Sequence, residues 1–265
     1  MNDGAIQFRN VVVTRSNSIG SPSAQEGVAV STPKNILNGI SLQLEAGTTT
    51  ALLGRSGSGK TTLLRTVNGL VLPSSGEVIV NGQDVNTADL LTLRRGIGYV
   101  IQETGLYPHM TIERNVSMPL ELTGKSPAER TARASELLTM VGLDPAQFAK
   151  RMPWQLSGGQ RQRAGVARAL AADPAILLLD EPFGALDPLT RAEMQTMLRD
   201  LLKRLGKTAV IVTHDLQEAI FLAHRVIFID AGNVQADMPS HEVLKSTIPG
   251  VHEYVQAVQR FEAAR

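Results

Sequence analysis

Cysteine is missing altogether from these 265 residues, so neither a disulfide framework nor a thiolate metal site can form. An excess of one charge is missing too. The 26 basic and 25 acidic side chains leave a formal net charge of +1, with no long basic block. Nucleic acid, which is usually bound through concentrated Lys and Arg, is therefore not the expected partner. The opening residues, 1–5, lack the basic flank and apolar run of a secretory signal. No uninterrupted apolar stretch approaches the ~20 residues that cross a bilayer as a helix. These absences predict a cytosolic chain whose membrane association must come through a partner. The sequon at Asn115–Ser117 has no meaning in that compartment. What is present is 43% hydrophobic and 19% charged residues, which suits a soluble α/β protein. The length allows one large domain or two small ones, and no internal repeat is visible.

Residues 54–61 read G-x-x-x-x-G-K-T, a P-loop. It follows the apolar Thr50–Leu53 and precedes the helix-like Thr62–Val67, the strand, loop and helix order that gives the motif its meaning. Gly54, Gly57 and Gly59 allow backbone conformations closed to residues with a Cβ. Successive N–H groups, with Arg55, Ser56 and Ser58 between the glycines, can then turn onto phosphate oxygens. The helix N-terminus at Lys60, Thr61 and Thr62 adds its partial positive charge. Lys60 is placed to reach the β- and γ-phosphates, and the Thr61 hydroxyl to reach Mg2+. A plain glycine-rich turn would not require Lys-Thr at this offset, so nucleotide binding is the stronger reading.

The second informative stretch is Leu156–Gln160, Leu-Ser-Gly-Gly-Gln, which opens a helical segment at 161–168. Alone it could be a flexible loop or a helix cap. Following a P-loop at this distance, it resembles the signature sequence of ABC-type ATPases. The resemblance runs from about Ile6 to about Ala236. It takes in Gln102 as the Q-loop, Ile176–Glu181 as the Walker B strand, Ala185–Asp187 as the D-loop and His214 as the H-loop. It implies an α/β fold, a P-loop NTPase core on a mostly parallel sheet, with an antiparallel β subdomain and an α-helical subdomain. Residues 1–265 are then a single nucleotide-binding domain. The helical subdomain falls at about 105–165 and a C-terminal helical extension at about 239–265.

The residue pattern supplies the elements. Residues 6–13 and 36–45 read as strands, separated by a Ser-, Gly- and Pro-rich loop from Ser16 to Lys34. Glu77–Gly82 reads as a strand and turn, and Gly98–Gln102 as a short strand ending at a polar residue. Ser126–Glu129 is a capping box for a helix running to about Val141, with Gly142 as its stop. The wholly apolar Ile176–Leu179 suits a strand buried on both faces. Asp187 and Pro188 open a helix whose Met194, Met197, Leu198, Leu201, Leu202 and Leu205 form one apolar stripe, read as core. Thr208–Thr213 is the next strand, and Asp215–Glu218 caps the helix after it. Arg225–Asp230 and Asn233–Asp237 read as a terminal β pair, followed by helices near 240–246 and 250–263.

Asp180 is expected to end a strand beside the P-loop strand and to hold Mg2+ through water. Glu181, the next residue, points elsewhere, as strand neighbours must, and can polarise the attacking water. The resemblance makes Glu181 the catalytic carboxylate, His214 the switch histidine on the γ-phosphate, and Gln102 a contact to Mg2+ or water. It also makes the loop after Gln102, with an exposed Leu106–Pro108, a docking surface for membrane subunits. His109, His224, His241 and His252 lack such context and are read as surface or packing residues. In the family two cassettes pair head to tail, so Ser157, Gly158, Gly159 and Gln160 of one chain face the nucleotide held by Lys60 of the other. Asp187 lies at that interface.

One departure concerns adenine. Arg15 stands where the family commonly has a stacking Tyr, which predicts loose base selectivity. The segment Arg94–Val116 is similar to importer ATPases of the quaternary-amine group, which serve glycine betaine, choline and other osmoprotectants. Polar amino-acid and other small-solute importers share much of it. The partners implied are a second cassette, transmembrane permease subunits and, indirectly, a solute-binding protein, on the cytoplasmic side of the inner membrane. The rival readings are a soluble ABC protein of translation or DNA maintenance, and a nucleotide switch that does not turn over.

Overall fold

The computed structural model describes residues 5–14 and 34–263, with side chains through 258. Among the described residues ten strands form two sheets. The larger sheet has the order β10-β9-β3-β8-β7-β6. Its strands are β3 (Thr49–Leu53), β6 (Ile97–Val100), β7 (Ile176–Asp180), β8 (Thr208–Thr213), β9 (Arg225–Asp230) and β10 (Asn233–Pro239). All pairings are parallel except the edge pair β9–β10. Every residue of β3, β7 and β8 is buried, because helices cover both faces of a parallel sheet. The faces alternate along each strand. Leu177 and Leu179 enter the core under the helical region, while Ile176 and Leu178 enter the core shared with the smaller sheet.

That smaller sheet is antiparallel, in the order β2-β1-β4-β5. It comprises β1 (Ile6–Thr14), β2 (Asn35–Leu44), β4 (Ser75–Val80) and β5 (Gln83–Asp84). Its inner face, with Ile6, Leu37 and Val78, packs with Leu63 and Leu64 of α1 (Lys60–Val67) against the parallel sheet. The short α2 (Leu90–Arg95) leads into β6. The helices between β6 and β7 are α3 (Ile112–Glu121), α4 (Pro127–Met140), α5 (Pro145–Phe148) and α6 (Gly158–Ala169). The capping box at Ser126 forms as expected, and Gly142, at φ 76°, ends the run after α4. Three helices close the chain: α7 (Pro188–Leu205), α8 (Leu216–Leu222) and α9 (Pro249–Ala263). The stripe on α7 is core, with Met194, Leu198, Leu201 and Leu202 buried and Met197 and Leu205 packed against them.

Four details differ from the sequence reading. β7 does not lie beside the P-loop strand, because β8 intervenes between β3 and β7. The strand before Gln102 stops at Val100, leaving Gln102 exposed in a turn. Leu106 packs against the core rather than facing solvent; only Tyr107 and Pro108 are exposed. Residues 240–245 form a 3-10 helix. Arg15 and most of the segment from Ser16 to Lys34 lie outside the described residues, as does any contact they make to a base.

Candidate functional site

The phosphate cradle begins where β3 ends. Gly57 and Gly59 take φ of 76° and 105°, a region that residues with a Cβ avoid. Gly54 is needed for another reason. A Cβ there would lie 2.0 Å from the Ile229 carbonyl oxygen, so β9 leaves no room for a side chain. Arg55, Ser56 and Gly57 form the exposed rim, whereas Ser58, Gly59 and Lys60 are buried. The Ser58 Oγ has no hydrogen-bond partner.

Lys60 is only 5% exposed. Its ammonium donates to the carbonyls of Gly54 and Arg55, both at 2.8 Å, which folds the loop around the charge. Burial lowers its pKa, while the nearby Glu181 and Asp180 carboxylates oppose that shift. Thr61 and Thr62 are half-buried in the first turn of α1. The Thr61 hydroxyl donates to Asp180 Oδ1 at 2.8 Å. Although β8 lies between β3 and β7, the first turn of α1 brings Thr61 to Asp180 at the end of β7.

Asp180 is 2% exposed, so its charge needs partners. Tyr99 donates to Oδ2 at 3.2 Å and Arg65 at 3.4 Å, and Arg65 also donates to the Tyr99 hydroxyl at 3.3 Å. Sequence reasoning missed both. Arg65 carried a signal, since it lies four residues after Thr61 and therefore on the same helix face. The donor set suits Mg2+, with a hydroxyl and a carboxylate oxygen side by side. Among the described residues no group of three or more His, Asp or Glu could cage a metal alone. Such a site completes its shell with phosphate oxygens and water.

Glu181 leaves the strand through a left-handed conformation, φ 45°, unusual for a residue with a side chain. Its backbone N–H donates to the Val212 carbonyl at 3.0 Å. The turn, rather than strand alternation, separates it from Asp180. Its Oε2 lies 3.4 Å from His214 Nδ1, and the His214 side chain is 62% exposed. Gln102 shares the open edge but touches neither residue through a hydrogen bond. Its loop is held from below, with Arg168 donating to the carbonyls of Thr104 and Gly105, both at 2.6 Å.

Behind Glu181 and His214 lies a group that sequence reasoning treated only as part of a cap. Asp215 alone caps α8, accepting from the Gln217 and Glu218 amides at 2.9 and 3.1 Å. Glu218 is itself buried, 6% exposed, with Oε1 unpaired. Burial pushes its carboxyl up to about 8, with Asp215 and Glu181 adding to the shift and the Thr213 hydroxyl and Arg191 opposing it. Arg191 in turn donates to the Leu186 carbonyl at 3.3 Å, tying α7 to the loop before Asp187.

The remaining predicted residues assemble elsewhere. Ser157 caps α6, its hydroxyl accepting from the Gln160 amide at 3.3 Å and the Gln160 side chain accepting from the Ser157 amide at 2.9 Å. Gly158 begins α6, and its open Cα sits beside Leu186. Gly159 packs so tightly that a Cβ would lie 2.4 Å from the Thr190 methyl. Asp187 caps α7, accepting from the Thr190 amide at 3.1 Å, and hydrogen bonds from Thr190 hold its carboxyl below its ordinary value. Signature and D-loop residues thus share one exposed surface. Among the described residues no hydrogen bond or ion pair links Ser157–Gln160 to Gly54–Thr62.

A parallel sheet with a phosphate loop at the head of its central strand, covered by an antiparallel sheet and a helical region, defines the ATP-binding cassette class. Residues 37–184 match the ABC transporter family, and the chain belongs to it. It is 44% identical over 224 residues to the osmoprotectant import ATP-binding protein OsmV of Salmonella typhimurium, covering 84% of this chain and 59% of that protein. It is 45% identical over 213 residues to the glycine betaine/carnitine/choline transport ATP-binding protein OpuCA of Bacillus subtilis, covering 80% and 56%. The chain therefore spans under three-fifths of the length of these relatives. Among solved structures it is similar to the dimeric ATP-binding cassette MJ0796 in a post-hydrolysis state with ADP and Pi. There the TM-score is 0.77 at 35% identity, over 89% of this chain and 98% of that one.

Proposed function

We propose that this chain binds ATP with Mg2+ and hydrolyses it as one of two cassettes paired head to tail. In this reading it powers import of a small solute, of the quaternary-amine osmoprotectant class, through permease subunits fed by a solute-binding protein. The observation that carries the hydrolytic part is the meeting of two pairs at one sheet end: Thr61 with Asp180, and Glu181 with His214. The solute class is supported by the relatives' names and by the similarity of Arg94–Val116 to importer ATPases of the quaternary-amine group. No helix among the described residues is long and apolar enough to cross a membrane, so attachment on the cytoplasmic face would run through the permease.

In this mechanism Gly54–Thr62 holds the phosphates, and the Lys60 ammonium exchanges its two carbonyl partners for β- and γ-phosphate oxygens. Thr61, Asp180 and Gln102 would hold Mg2+, which supplies charge neutralisation on the phosphates. Glu181 orients water and accepts its proton, and His214 steadies the γ-phosphate. Ser157, Gly158, Gly159 and Gln160 of the second cassette close over that phosphate, with Asp187 at the seam. Positioning and charge neutralisation do most of the work in such a reaction.

Glu181→Gln tests it. ATP affinity should persist, a nucleotide-bound dimer should accumulate, and turnover should fall by about two to four orders of magnitude, as expected for loss of a general base. Near-normal turnover in that variant would overturn the role of Glu181, and a wild type that binds but never hydrolyses ATP would favour a switch. Uptake in vesicles carrying the cognate permease, measured with choline, glycine betaine and amino acids, decides the solute class.

A further inference from the structure

The C-terminal helix α9 reaches back to the switch histidine. Its Val251 and Val255 are buried in a core with Leu216 and Ala219 of α8 and Phe228 of β9. Tyr254 lies between them in sequence, and its ring meets Phe228 edge-on with centroids 6.2 Å apart. Its hydroxyl donates to the main-chain carbonyl of His214 at 3.0 Å. Tyr254 is half-buried. It borders a cavity of about 450 Å³ whose walls include Gly54 and Arg55 of the phosphate loop and Asp230 at the end of β9. The hydroxyl bond ties the ring to the segment after β8, and the Phe228 contact ties it to β9.

His214 needs such an anchor. It stands between β8 and α8, outside regular hydrogen bonding. Its neighbours are fixed, since the Asp215 amide donates to Thr213 Oγ1 at 3.0 Å and Asp215 caps α8. Among the described residues, the one ion-pair partner of its side chain is Glu181. Its carbonyl is held by a residue 40 positions later in the chain.

We infer that Tyr254 is a positioning residue, which through its hydroxyl fixes the backbone at His214 and so lets α9 set how the switch histidine meets the γ-phosphate. This rests on the role given to His214 under the proposed function. Burial raises the pKa of the Tyr254 hydroxyl, so it remains a donor throughout the neutral range.

Tyr254→Phe in the full chain removes the hydroxyl and keeps the ring contact with Phe228. One hydrogen bond of ordinary net strength corresponds to about three- to ten-fold in kcat for MgATP. The KM for ATP should stay within about two-fold, and the thermal midpoint should hardly move. In a His214→Ala background the same substitution should change nothing further, because it acts through His214. Equal losses in both backgrounds, or an unchanged kcat, would overturn the inference. Hydrogen exchange supplies a reading that does not depend on hydrolysis. Amides at 213–217 should exchange several-fold faster in Tyr254→Phe, while those of β3 stay protected. Unchanged exchange at 213–217 overturns the contact. Faster exchange with an inactive wild type places the failure in the proposed function instead.

Discussion

The phosphate loop and the signature loop are both helix N-termini, yet the chain treats them differently. The first is finished internally. Lys60 is buried and bonded to its own loop, Gly54 is pressed against β9, and Thr61 is tied to Asp180. The second is finished only locally. Ser157 and Gln160 satisfy each other in a capping box, Gly159 is wedged on Thr190, and Ser157 faces solvent. That loop rests on its own cap and on α7, and among the described residues no hydrogen bond or ion pair joins it to the phosphate loop. A preformed surface without such a counterpart among the described residues suits a role completed by a second copy.

The largest expected effect comes from breaking one half of that comparison. Lys60→Ala should lose nucleotide binding, because it removes the charge that replaces the loop's own carbonyl contacts. Ser157→Arg should keep binding and lose hydrolysis, because it blocks the exposed surface. Mixing the two variants should restore part of the activity through one hybrid interface, read as phosphate release against each variant alone. A mixture as inactive as its components, beside an active wild-type dimer, would rule out a shared site.

A smaller effect concerns the support behind the open edge. The Glu218 carboxyl is raised from 4.5 to about 8 by burial, with Asp215, Glu181, Arg191 and Thr213 facing it and His214 close by. The folded chain therefore holds a proton there that the unfolded chain has released. Its contribution to stability is present in full below about pH 4.5 and is lost as pH rises through about 8. Glu218→Gln should flatten that dependence. Its thermal midpoint should gain on the wild type as pH rises from about 4.5 to about 8, the interval between the unfolded and folded pKa values. Parallel curves would show that the carboxyl is ionised throughout.

The smallest effect provides a control remote from both loops. Ser126→Ala removes the hydroxyl that caps α4 and should cost about 1 kcal/mol in chemical denaturation. ATP turnover per folded molecule should not change. A large loss of turnover would mean that the helical region transmits to the site.

Much of the site was legible because it is local. The P-loop glycines, Lys60 and Thr61 sit within eight residues, and the caps at Ser126, Ser157 and Asp187 are set by spacing alone. Partners distant in sequence were not legible. Arg65 and Tyr99 around Asp180, Arg191 facing Glu218, and Tyr254 on His214 come from different elements, and no short pattern announces their meeting. Gly54 shows both levels in one residue. The motif required a glycine there, but the reason lies in the Ile229 carbonyl of a strand some 175 residues away, not in φ.

The sequence by itself determined the order of the motifs, the helix caps and the apolar strands of the parallel sheet, because caps, glycine turns and apolar runs follow from neighbouring residues. Tertiary structure alone decided that β8 lies between β3, which leads into the phosphate loop, and β7, which ends at Asp180, that Glu181 turns away through a left-handed residue, and that α9 holds the His214 backbone. These depend on sheet order and helix docking. The packing of the core fixes those, since β3, β7 and β8 bury both faces under helices and the smaller sheet, and most buried polar groups find partners across elements.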